Sequence, residues 1–69
     1  MAQRVNYSSY IKKIRENLLI TQQELADMIG VTFATVNRWE NGHFEPSTKK
    51  KRALRDICIK NGIDVETGN

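Results

Sequence analysis

Apolar residues recur every three or four positions along most of this chain, with polar residues between them. Ile11, Ile14 and Leu18 form one such stripe in residues 8–18, flanked by Tyr7 and Tyr10, while Lys12, Lys13 and Glu16 fall off it. Spacings of three and four place side chains on one face of a helix, so the segment reads as an amphipathic helix. Ser8 or Ser9 is the expected cap at its start.

The stretch "TQQELADMIGVTFATVNRWENG", residues 21–42, holds two helix starts and two helix stops. Thr21-Gln22-Gln23-Glu24 has the form of a capping box, in which the threonine hydroxyl and the glutamate carboxylate each satisfy a backbone N–H. Ile20 and Leu25 bracket it at the spacing of a hydrophobic staple, Leu25, Ala26 and Ile29 make the apolar face, and Gly30 closes the helix. Only Val31 and Thr32 follow before the next helix, which spans about residues 32–40. Thr32 is its cap, and Val31 with Val36 repeats the staple. Val36 and Trp39 point inward, and Asn41-Gly42 ends it. The outward face is then Phe33, Ala34, Thr35, Asn37 and Arg38. Phe33 is the anomaly, because a large aromatic on a surface calls for a partner.

Ser47 caps a fourth helix over about residues 47–61, with Leu54, Ile57 and Cys58 as its buried stripe. Gly62 followed by Ile63 fits a Schellman stop. Lys49, Lys50, Lys51 and Arg52 sit in its first turn or so, where the helix dipole disfavours cations. A basic cluster at the wrong end of a helix points to an outside anion such as phosphate. The charge count agrees: residues 1–46 carry five Lys/Arg and five Asp/Glu, whereas residues 47–69 carry six and three.

Sixty-nine residues, 39% hydrophobic and 28% charged, fit one small soluble domain, 1–69, ending in a short tail at 62–69. No apolar run approaches the roughly 18 residues of a membrane span, so no membrane association is expected. The lone Cys58 excludes a disulfide framework within the chain and fits a reducing cytoplasm. One cysteine and one histidine provide no closed zinc site, so no metal and no cofactor are expected. No glycine-rich phosphate loop and no paired nucleophile and base are present, and enzymatic activity is not expected. His43 reads as a surface residue, Cys58 as a small buried residue, and Trp39 as core.

Two helices joined through a short glycine-containing turn cross steeply, so that one supports the other in the major groove of DNA. The elements "TQQELA", Gly30 and "WENG" closely resemble the helix-turn-helix of the phage repressor and Cro-like (XRE-type) family, over about residues 11–47. The resemblance implies a compact all-α domain of four to five helices, like the DNA-binding domain of lambda repressor. It also implies binding of double-stranded operator DNA in the bacterial or phage cytoplasm, in association with the nucleoid, and transcriptional regulation, as a repressor, with a homodimer on DNA as the usual arrangement.

Position by position, the resemblance puts Phe33, Ala34, Asn37 and Arg38 against base edges. Gln22, Thr32, Thr35, Asn41, His43, Lys49, Lys50, Lys51 and Arg52 fall at phosphate-contacting positions. Arg15 and Glu40 become a structural salt bridge holding the first helix to the end of the third. Phe33 departs from the polar residue common in the family, and packing on a thymine methyl would replace a hydrogen bond to adenine. Leu19 departs from the usual glycine; a left-handed leucine would cost about 1–2 kcal/mol, and a rebuilt helix end is the alternative. Phe44 is expected to cap the core. Two other classes fit the same pattern: an antitoxin-type module with a protein partner, and a DNA-targeting domain of a larger DNA-modifying protein.

Overall fold

The computed structural model describes residues 6–63. They form four helices, α1 (Tyr7–Leu18), α2 (Gln22–Ile29), α3 (Phe33–Glu40) and α4 (Thr48–Lys60), with no strand among the described residues. The fold is the all-α helix-turn-helix arrangement that the short glycine turn and the family resemblance imply. No helix among the described residues is long and apolar enough to cross a membrane.

Each helix contributes its stripe to one core. Tyr10, Ile11 and Ile14 come from α1, Leu25, Ala26 and Ile29 from α2, Val36 and Trp39 from α3, and Leu54 and Cys58 from α4. Ile11, Ile14, Leu25, Ala26, Val36 and Leu54 have no solvent exposure at all. Ala26 is the smallest side chain of this core and is fully buried. The Cys58 thiol donates to the Tyr10 hydroxyl at 3.7 Å, tying α4 to α1 deep in the core. Burial first, and then this hydrogen bond, raise the Tyr10 phenol above its ordinary pKa.

Helices of eight residues have little stability alone, so their ends must be well closed. Thr21 and Glu24 form the full capping box, with the Glu24 N–H donating to the Thr21 hydroxyl at 3.0 Å and the Thr21 N–H to the Glu24 carboxylate at 2.8 Å. Thr32 and Ser47 cap α3 and α4 through the N–H groups of Thr35 and Lys50. The first helix differs from expectation. It begins one residue earlier, at Tyr7, and Asn6 is its cap, accepting from the Ser9 N–H at 3.2 Å. The Ser8 hydroxyl donates instead to the Glu40 carbonyl, across to the end of α3.

All four helices finish with the same bond from an N–H to the carbonyl five residues back. The pairs are Ile20 to Arg15, Val31 to Ala26, His43 to Arg38, and Ile63 to Cys58, at 2.8 to 3.1 Å. Each closure needs a left-handed residue. Glycine provides it at Gly30, Gly42 and Gly62, but Leu19 provides it at α1, with φ 58°. Leu19 is also 89% exposed, so its side chain gains nothing from packing in return.

A second correction concerns Phe44. It does not cap the core; it is 61% exposed, and its neighbour Pro46 is the buried residue of the loop. A loop from Gly42 to the α4 cap has no period to show which side chain turns inward, and the proline ring takes that place.

The left-handed end of α1 predicts a sign reversal. Leu19→Gly should stabilise the domain by about 0.5–1 kcal/mol by removing a backbone penalty at no cost in burial. Gly30→Ala should destabilise by about 1 kcal/mol, although an added Cβ there would meet nothing within 4 Å. Urea midpoints at unchanged slope measure both; equal signs would refute the backbone account.

Candidate nucleic-acid interface

The site is built on α3, and what fixes α3 is the carboxylate of Glu40. Its residue is only 4% exposed. Arg15 on α1 grips it with two bonds, Nε to Oε2 at 2.5 Å and Nη2 to Oε1 at 2.9 Å, and a third Arg15 nitrogen reaches the Ile20 carbonyl at 3.4 Å. Gln22 at the start of α2 donates to Oε1 at 3.0 Å. One carboxylate therefore ties three helices together, in the structural role expected for the Arg15–Glu40 pair.

Burial alone would raise the Glu40 carboxyl, but the hydrogen bonds from Arg15 and Gln22, with the fields of Arg15 and Lys12, outweigh it. The net result lies below the ordinary carboxylate value. The hydrogen bond to Glu40 in turn holds the Arg15 guanidinium more firmly protonated.

On this mount α3 shows a clear division. Val36, Trp39 and Glu40 are buried, whereas Phe33, Ala34 and Arg38 are exposed. Phe33 is 48% exposed, which leaves half of a large apolar ring facing solvent. Asn37 is half-buried on the flank nearest α2, where it donates to the Gln22 carbonyl oxygen at 3.3 Å and accepts from Asn41 at 3.0 Å. Thr35 is half-buried, with its hydroxyl 2.9 Å from that of Thr32. Thr32, Asn41 and His43 are exposed. Thr35, Arg38, Trp39 and Phe44 line an open depression of about 220 Å³. Phe44 thus joins the same surface as Arg38, a placement without a periodic signal in the sequence.

The basic cluster divides. Lys49 and Arg52 are exposed. Lys50 is half-buried and donates to the Ile29 carbonyl at 3.1 Å, satisfying the end of α2. Lys51 pairs with Glu45 at 3.3 Å and stands over the Tyr7 ring at 4.8 Å. Two of the four cations therefore already serve the fold. The first turn of α4 contains no acid to offset them. Among the described residues no group of three or more His, Cys, Asp or Glu could hold a metal ion.

Two short capped helices joined through Gly30 and packed on each other, the second presenting an exposed face of Phe33, Ala34 and Arg38, define a helix-turn-helix module. The chain belongs to the helix-turn-helix family, whose model matches residues 11–58, and its fold is that of a DNA-binding domain. The type II methyltransferase M.SsoII of Shigella sonnei is 37% identical over 55 residues. That alignment covers 75% of this chain and 14% of the methyltransferase, so the chain spans a small part of that relative's length. No solved structure matches.

The Arg15–Glu40 pair predicts an acid dependence of definite sign. A carboxyl held low in the folded state stabilises the fold fully above its unfolded value, about pH 4.3, and that stabilisation is lost as pH falls through the folded value. Thermal melts should therefore drop below about pH 4.3, and Glu40→Gln should flatten that drop. Arg15→Ala should cost about 3 kcal/mol, because it leaves a buried charge without its partner. A loss below about 0.5 kcal/mol would show the pair to be no more than a surface contact.

Proposed function

We propose that this chain recognises specific sequences in double-stranded DNA by seating α3 in the major groove, and regulates transcription by occupying an operator. The observation that carries this reading is the free face of Phe33, Ala34 and Arg38 on a helix locked to both of its neighbours. An α-helix fits the major groove, and the four base pairs differ in the groups they present there. Arg38 has the fork geometry for guanine O6 and N7, while Phe33 and Ala34 offer apolar contact to a thymine methyl. Lys49 and Arg52, exposed at the start of α4, would contact phosphate, and Phe44 extends the surface on the flank of Thr35. Repression follows from occupancy alone, since a bound domain excludes other proteins from the same DNA.

A second reading draws on one observation, the similarity to a far longer methyltransferase. In it the same module serves as the targeting segment of a larger modifying protein. Both readings need the same α3 surface; they differ in what is attached to it.

In vitro selection from random duplexes, followed by base substitution in the enriched site, tests the DNA-reading surface. Arg38→Ala should cost about 1–3 kcal/mol and relax the preference at one guanine. Phe33→Ala should relax the preference at a thymine, and uracil in place of that thymine should weaken only the unmodified protein. Lys49→Gln and Arg52→Gln should weaken all duplexes alike, each lowering the salt slope by about 0.9. If no motif is enriched and the chain instead binds a protein tightly, the operator reading fails.

A further inference from the structure

We infer that the first turn of α3 reads the C5-methyl group of a pyrimidine and not the base that bears it, so that 5-methylation of a cytosine at the contacted position raises affinity. The inference deepens the proposed operator binding and rests on it.

Phe33 and Ala34 are adjacent at the start of α3, both exposed, with 48% of Phe33 facing solvent. Neither side chain carries a hydrogen-bond donor or acceptor. The threonines that bracket them are engaged in the helix cap. The Thr32 hydroxyl accepts from the Thr35 N–H at 3.2 Å and lies 2.9 Å from the Thr35 hydroxyl. Two successive exposed side chains at the start of the helix therefore offer only hydrocarbon.

The floor of the major groove is a surface of the opposite kind. It presents acceptors at purine N7, guanine O6 and thymine O4 and donors at adenine N6 and cytosine N4, and the thymine C5-methyl is the apolar group among them. A phenyl ring laid on the polar atoms strips them of water and returns no hydrogen bond, which costs free energy. Laid on the methyl, it removes apolar surface from water on both sides. In the groove, Phe33 thus gains at a C5-methyl and loses elsewhere. 5-Methylcytosine carries the same methyl on the same ring carbon. Beside that methyl it differs from thymine by an N4 amine in place of the O4 carbonyl, a difference in hydrogen bonding to which a hydrocarbon side chain does not respond. Methylation therefore strengthens binding to a site with cytosine at this position, and it becomes an input to operator occupancy.

Affinities for four duplexes test this, identical except for thymine, uracil, 5-methylcytosine or cytosine at the position where Phe33→Ala relaxes the selected motif. Thymine should bind about fourfold tighter than uracil, and 5-methylcytosine about fourfold tighter than cytosine, the effect of burying one methyl group. Whatever else reads that base pair is common to both members of each comparison and cancels in the ratio. Both ratios should fall below about twofold in Phe33→Ala and persist in Phe33→Leu, whose side chain is also hydrocarbon. In the unmodified protein, a 5-methylcytosine no tighter than cytosine while thymine exceeds uracil would overturn the inference and leave operator binding standing. Ratios unchanged in Phe33→Ala, or no thymine coupled to Phe33, would do the same. Failure to enrich any motif would overturn the operator reading and this inference with it.

Discussion

The structure depends on one buried negative charge. A carboxylate removed from water loses several kcal/mol of hydration, which a single hydrogen bond does not offset. Glu40 recovers it from two bonds to Arg15 and one from Gln22. A pair of this kind adds little to net stability compared with apolar residues of the same size, but breaking it is costly. Its contribution is geometric. Because the carboxylate is satisfied only when α1, α2 and α3 hold their observed places, the angle at which α3 stands out is fixed by electrostatics as well as by packing. A Leu or Met at position 40 would fill the space and leave the helix freer to slide.

The helix ends supply the second constraint. A domain this small has no reserve of apolar burial, and α2 and α3 are each eight residues long. Capping oxygens at Asn6, Thr21, Thr32 and Ser47 satisfy N–H groups that an exposed short helix would otherwise leave to water. Lys50 does the same for a carbonyl at the end of α2. That bond also explains in part how cations are tolerated in the first turn of α4: the ammonium group of Lys50 is spent on the negative end of a neighbouring helix.

Much of this was legible in the sequence, for identifiable reasons. Capping boxes, staples and glycine stops are local, so the bounds of α2 and α3 and the roles of Thr21, Thr32 and Gly30 could be read directly. Val36 and Trp39 as core followed from period, and the Arg15–Glu40 pair from family resemblance. What could not be read was non-local or lacked a period. Asn6 displaced Ser8 as a cap because Ser8 was drawn across to the Glu40 carbonyl, a partner 32 positions away. Phe44 lies in a loop, where composition suggests burial but Pro46 already occupies the inward position. Nothing in a run of four cations tells which will find partners, and here Lys50 and Lys51 did.

The same contrast separates the two flanks of α3. On the side of α2, Asn37 and Gln22 are held by hydrogen bonds that trace back to Glu40, so polar groups there meet a partner in a fixed orientation. On the other side, Arg38 and Phe44 border an open depression, and among the described residues no hydrogen bond fixes the Arg38 guanidinium. Rigid donors favour discrimination, since a mismatched acceptor cannot be followed; a long free cation favours reach, since it can follow the duplex as it bends. In the proposed binding mode, an α3 that is stiff on one flank and compliant on the other would read sequence along one edge while adapting to shape along the other, and in this chain the difference follows from which flank faces the buried carboxylate.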